Sequence, residues 1–287
     1  MNSRRNSPKA RMDVLTKAFA ALQDPVWVAK ATIQTRSSVA ARLFWLYKRT
    51  PPRVSGVFRF PYGQVRYLDA LSLLTVYSEI FVRRLYEVAG LGATPYIIDC
   101  GGNIGLSVVW FKQQYSRATI TVFEADPTIA DVLEENMHTL GLQSVEVVRA
   151  AVGGVSGPVT FVADGTLSGR VSSEPGLIIE SVRLSNRIHR SVDLLKVDIE
   201  GGEFDLFKDM CATGQINLVR NIVCEIHGSG EVQEQVAELW AALSDAGFRL
   251  TVGATETVAE LPGATEPTPF PQAHSGKFVL YLYAWRL

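Results

Sequence analysis

The chain has 287 residues, enough for one α/β domain with an appendage or for two small domains. Hydrophobic residues make up 47% and charged residues 20%, which excludes a disordered or low-complexity polymer and leaves a globular chain with a sizeable core. The net charge of −1 conceals a split, because residues 1–90 carry 15 Lys and Arg against 5 Asp and Glu and the remainder 13 against 24.

Residues 1–11 are polar and expected to be disordered. Met12 to Leu22 has a helical pattern that Asp24-Pro25 breaks, and Ser38 to Lys48 resumes it with Val39, Leu43, Phe44 and Leu46 as the apolar side. After Pro51-Pro52, Val57-Phe58-Arg59-Phe60 and Gln64-Val65-Arg66-Tyr67 alternate around Pro61-Tyr62-Gly63, a hairpin pattern. A helix is expected from Leu71 to Val88. The division this implies is an N-terminal extension, 1–69, and a ligand-binding domain, 70–287. The basic charge of the first part reads either as an ordinary solvated surface or as a face for the acidic core, anionic lipid or a phosphorylated substrate.

Ile97-Ile98-Asp99-Cys100-Gly101-Gly102-Asn103-Ile104-Gly105, followed by an amphipathic run from Leu106 to Tyr115, is the order strand, glycine loop, helix. The glycines allow positive φ and a close approach to the main chain. A dinucleotide fingerprint starting at Gly101 would need Gly at 103 and 106, where Asn103 and Leu106 stand. Thr119 to Phe123 is a second strand ending in Glu124, and Asp126-Pro127 opens a helix that Gly141 ends. An acid at the end of the second strand suits acceptance from two ribose hydroxyls. Together these features point to an adenosine ligand with little or no phosphate, S-adenosylmethionine rather than NAD. The expected cofactor contacts are Asp99, Gly101, Gly102, Asn103, Gly105, Glu124, Ala125, Ala151 and Asp198.

Val145 to Val148 is a third strand. Pro158 to Ala163 and Ile178 to Leu184 form an insertion before the fourth, Val192 to Val197. That strand delivers Asp198 and Glu200 at its carboxyl end, followed by Gly201-Gly202 and Glu203, which reads equally as a helix-N-terminal charge or a catalytic group. Lys196 is expected to pair with one of the acids. The fifth strand, Asn221 to Ile226, leads to His227, on the same face as Glu225. A helix through Val232 to Leu243, strands Phe248 to Val252 and Phe278 to Ala284, and a proline-rich loop 253–276 close the chain. The loop, with His274, is expected to border the acceptor pocket. Cys100, Cys211 and Cys224 lack disulfide or zinc spacing. No apolar run reaches membrane-spanning length and no signal core follows the basic start, so a cytoplasmic protein is expected.

In order, D-C-G-G-N-I-G, V-F-E-A-D-P, L-L-K-V-D-I-E-G-G-E-F and C-E-I-H-G over about residues 70–230 resemble the FkbM family of S-adenosylmethionine-dependent methyltransferases. The resemblance implies a class I methyltransferase fold, a Rossmann-like seven-stranded sheet with its last strand antiparallel. It implies O-methylation of a sugar, glycolipid or bacterial natural product. By the same resemblance Asp99, Gly101 and Gly105 fall on the methionine side, Glu124 on the ribose, and Asp198, Glu200 and His227 at the acceptor. Leu184-Ser185-Asn186 departs from the family's frequent Leu-Asp. His227 is the first expectation for a general base, because imidazole titrates near neutrality, and Asp198 the second. A variant has Asp198, Glu200 and Glu225 holding Mg²⁺ against a sugar diol. A small-molecule or glycoconjugate acceptor is expected. A nucleic-acid substrate is not, since no clustered aromatic–basic face is visible. A non-catalytic scaffold and an NAD-dependent oxidoreductase remain the rival readings. Oligomeric state is open.

Overall fold

A computed structural model describes residues 38–163, 169–172, 174–228, 232–257 and 278–286. The expected helix Met12–Leu22, His274 and most of the loop 253–276 lie outside the described residues.

The chain begins with α1 (Val39–Arg49) and the hairpin β1 (Gly56–Phe60) and β2 (Gly63–Tyr67). A helix α2 (Ala70–Tyr77) follows, capped by the Asp69 side chain, and runs into a π-turn, Ser78–Val82. The expected helix 71–88 therefore stops six residues early. The wider π-turn and a left-handed Arg84 (φ 56°) swing the chain so that Tyr86 points inward. Strands β3 (Tyr96–Cys100), β4 (Thr119–Glu124) and β5 (Val145–Arg149) alternate with α3 (Leu106–Gln114) and α4 (Pro127–Thr139). Asp126 caps α4 as expected, accepting from Thr128 N and Ile129 N.

An insertion then builds its own small sheet from β6 (Ala151–Gly153), β7 (Gly157–Val162), β8 (Arg170–Val171) and β9 (Leu177–Arg183), in the order β6-β9-β7-β8. The two longer strands were expected; β6 and β8 are too short to leave a periodic signal. The core resumes with β10 (Leu194–Val197), α5 (Glu203–Ala212), β11 (Asn221–Gly228), α6 (Gln233–Asp245), β12 (Arg249–Thr257) and β13 (Phe278–Trp285). The fourth core strand is shorter than expected, Val192 making only an isolated bridge to Val219. β12 is longer than expected, because residues 255–257 pair with β13 beyond a register shift at 253–254.

The main sheet has seven strands in the order β12-β13-β11-β10-β3-β4-β5. β13 runs antiparallel to both neighbours, and β11, β10, β3, β4 and β5 are mutually parallel. This is the expected class I methyltransferase architecture. Side chains alternate across the sheet, so Ile97, Leu194 and Val223 enter one core while Ile98, Leu195 and Ile222 enter the other. The first core also takes Leu43, Phe58, Phe60, Val65 and Tyr67, so α1 and the hairpin share hydrophobic packing with α3 and α4. The Asn136 side chain on α4 accepts from Arg66 N and donates to Arg66 O and Ile104 O, fastening the hairpin to the domain.

Asn136→Ala removes all three bonds from a buried site. The expected loss is about 1–3 kcal/mol for each group left unsatisfied. Urea unfolding checks the total, and faster amide exchange in β2 than in β4 locates it.

Candidate functional site

The site is built on a lysine. All four residues of β10 are buried, and Lys196 is 1% exposed. Its Nζ donates to Gly101 O (2.6 Å) and lies 3.2 Å from Asp99 Oδ1 and 3.4 Å from Asp198 Oδ2. Burial pulls the ammonium pKa down, but the two carboxylates outweigh it and the net shift is upward. The expected pairing thus extends to both acids and a carbonyl. Asp99 was expected to touch the ligand. Instead it is fully buried beneath the loop, bound to Lys196 and to Ser107 Oγ (2.5 Å), and it does not reach the cavity.

The glycines are required mainly by the protein's own packing. A Cβ on Gly101 (φ 88°) would stand 1.8 Å from Asp198 O, and one on Gly102 2.2 Å from Val122 Cγ2. Gly105 (φ 95°) lies against Met137 and Leu133, away from the cavity. Gly101 N and Gly102 N both donate to Phe123 O, which seats the loop on β4.

Outside the carboxyl ends of the strands lies a cavity of about 470 Å³, within the range of small-molecule sites. Of the residues expected to contact a cofactor, Gly101, Gly102, Asn103, Glu124, Ala125, Ala151 and Asp198 line it. Glu124 accepts from Asn103 N (2.8 Å) and Asp126 N (2.9 Å). Burial raises its pKa to about 7 in spite of these bonds. Asn103 holds φ 47°, and its side chain accepts from Ile104 N.

At the other end of the cavity Tyr86 OH donates to Asp198 Oδ2 (3.0 Å) and approaches Glu225 Oε2 (3.4 Å). Glu200 and Glu225 also line this end. His227 does not. Its ring sits behind them, with Nδ1 3.4 Å from Glu203 Oε1 and Nε2 3.4 Å from Glu225 and 3.6 Å from Glu200. Burial lowers the imidazole pKa, but these three carboxylates raise it more, so it is held well above its usual value. This upward shift favours the charged ring, and a charged ring does not accept a proton. At this end of the cavity burial lifts Glu200 to about 8, with His227 pulling downward and Asp198 upward. Glu203 caps its own loop, accepting from Gly201 N and Ile199 N, and is wholly buried.

The expected Mg²⁺ set also changes. Among the described residues the ligand atoms that converge, within 4.8 Å of one another, belong to Asp198, Glu200 and His227. Glu225 is engaged by Tyr86 and His227 instead. Ser185, read as a missing acid, donates to Asp209 Oδ2 (2.5 Å), so the carboxylate there comes from α5. Contributors to the cavity that carried no sequence signal include Tyr86, Glu79 and Ile80 of the π-turn, and Phe161, Arg170 and Val171 of the inserted sheet. Each depends on a turn or an insertion whose path no spacing encodes.

The profile described as "Methyltransferase FkbM domain" matches residues 99–250, more than half of the chain, and the chain belongs to this family. Methyltransferase sdnD from Sordaria araneosa is 28% identical over 220 residues, covering 61% of this chain and 82% of the relative. Methyltransferase 1 from Beauveria bassiana (strain ARSEF 2860) is 25% identical over 206 residues, covering 62% and 81%. Among solved structures, methyltransferase FkbM from Methylobacillus flagellatus KT aligns with a TM-score of 0.46 and 13% identity, covering 88% of this chain and 62% of that one.

Lys196→Met leaves Asp99 charged and unpaired in the core, for which the expected cost is roughly 3–5 kcal/mol. Adding Asp99→Asn should return part of it, since the orphaned charge is then gone. Equilibrium denaturation of the two single variants and the double variant makes the comparison.

Proposed function

We propose that this methyltransferase takes its methyl group from S-adenosylmethionine and delivers it to a hydroxyl of a sugar, glycolipid or natural product, with Glu200 accepting the hydroxyl proton. The observation that carries the reading is one cavity with two chemically different ends. Glu124 stands beside the glycine loop at one, and Asp198, Glu200 and Glu225 gather around Tyr86 at the other.

The residues present fit this cofactor. Glu124 offers carboxylate oxygens at the cavity wall, the acceptor chemistry that a ribose diol needs. The lining cations do not suit a pyrophosphate, because Lys196 is committed to Asp99 and Gly101 and Arg170 faces Glu174. When bound, S-adenosylmethionine supplies a methyl group already activated as a sulfonium. The protein's part is then alignment of the acceptor oxygen and removal of its proton.

Glu200 Oε2 faces His227, and its second oxygen makes no hydrogen bond or ion pair among the described residues. That oxygen is open to an acceptor hydroxyl. A carboxylate lifted to about 8 is a stronger base than an ordinary one. His227, held as imidazolium, keeps Glu200 from rising further and offsets the negative charge of Glu225 and Glu203. Tyr86 fixes Asp198 by donating to it and lies 3.4 Å from Glu225 Oε2. Its own pKa, driven up first by burial and then by those two acids, keeps it a donor.

Glu124 binds a ribose best when ionised. With its pKa near 7, affinity for S-adenosylmethionine should rise about tenfold between roughly pH 6 and pH 8. Calorimetry at several pH values reads this directly. In Glu124→Gln the pH dependence should vanish and binding weaken by about 1.5–3 kcal/mol; a retained slope would move the ribose elsewhere.

Turnover should rise with pH through a midpoint near about 8, set by Glu200. Glu200→Gln should lower kcat by roughly 10²–10⁴-fold with cofactor affinity kept, and a chelator should change nothing. His227→Gln should shift the midpoint to higher pH. Loss of turnover on chelation would instead assign the carboxylates to a metal ion.

A further inference from the structure

We propose that the outward face of α1 and the β1–β2 hairpin is a docking surface for an anionic lipid bilayer. Residues 38–68 carry six Lys and Arg and no Asp or Glu, and Arg66 reaches Glu135 across the fold in a salt bridge. The sequence showed no clustered aromatic–basic face; the fold assembles one. On α1, Arg42, Trp45 and Arg49 fall at helical spacing on one exposed stripe, flanked by Lys48. Trp45 is 55% exposed, with the Arg49 guanidinium 5.4 Å from its ring centroid.

The hairpin continues this surface. Arg42 donates to Arg59 O and lies over the Phe58 ring, so helix and hairpin meet along it. Val57, 58% exposed, stands on the outward side of β1 with Arg59, and Val54 in the preceding turn is 45% exposed. A tryptophan flanked by arginine and lysine, with aliphatic side chains at the same level, matches the lipid–water boundary. The indole and valines enter the headgroup region while the cations meet lipid phosphates. Single-stranded nucleic acid fits less well. It needs several open rings for base stacking, and here Trp45 is exposed while Phe44 and Phe58 are buried. Among the described residues no helix is long and apolar enough to cross a membrane, so the contact is peripheral.

The inference stands apart from the methyl-transfer reading and is tested without it. The full chain is sedimented with vesicles of phosphatidylcholine alone and of phosphatidylcholine mixed with phosphatidylserine. Binding is expected to the mixed vesicles only and should fall as salt is raised. The triple variant Lys48→Glu, Arg49→Glu, Arg59→Glu should bind about tenfold or more weakly, and Trp45→Ala should weaken binding with the salt dependence kept. All four side chains are exposed, and unchanged thermal unfolding verifies that the variants fold. Residues 1–37 are also basic and are left intact, so loss in the triple variant assigns the contact to this face. Equal affinity for neutral vesicles, no binding, or binding untouched by the triple variant overturns the proposal. So does binding to single-stranded RNA without binding to vesicles.

Discussion

One buried ammonium joins the parts of this molecule that the chemistry needs. Lys196 lies in the middle of the sheet and holds the end of β3 through Asp99, the glycine loop through Gly101 O, and the end of β10 through Asp198. A lysine in that position is costly to desolvate, and only oppositely charged groups from different segments make it tolerable. The same requirement brings three chain segments to one point. Gly101 follows from it, because the loop must run so close to β10 that a side chain at that position would overlap Asp198 O. The cavity wall is thus a by-product of neutralising one charge, and Asp99 is held beneath that wall.

A second consequence is electrostatic. Asp198, Glu200, Glu203 and Glu225 gather around His227, so acidic groups are in surplus at this end of the cavity. Burial and mutual repulsion keep Glu200 partly protonated near neutral pH. The arrangement therefore exchanges the usual roles of the two residue types. The surroundings favour the charged form of the histidine and the protonated form of the carboxylate.

The seven-stranded sheet was legible in the sequence because each of its strands carries either an unbroken apolar run or a motif at its end. Ile97-Ile98 before the glycines, the acid at Glu124 and Leu194-Leu195 before Asp198 mark strands and their carboxyl ends together. The acceptor side was less legible. Residue spacing placed His227 next to Glu225 correctly, but could not show that three carboxylates would converge on its ring and keep it charged. Tyr86 was invisible because the π-turn that delivers it interrupts an apolar pattern reading as continuous helix. Short strands such as Arg170–Val171 exist only through their partners, and pairing over such a distance has no local signature.

β13 lies between β11 and β12 and binds both along nearly its whole length. During synthesis, therefore, β12 emerges before the strand that it must pair with, and β11 presents an unpaired edge until residues 278–285 arrive. Tyr283 then reaches back to Leu85 O across 198 positions of sequence. Closure of the sheet is a late, non-local event, with the slow kinetics that such contacts impose. A nascent chain stalled after β12 would carry a fully formed parallel core with an open edge, the species most prone to associate with a second copy.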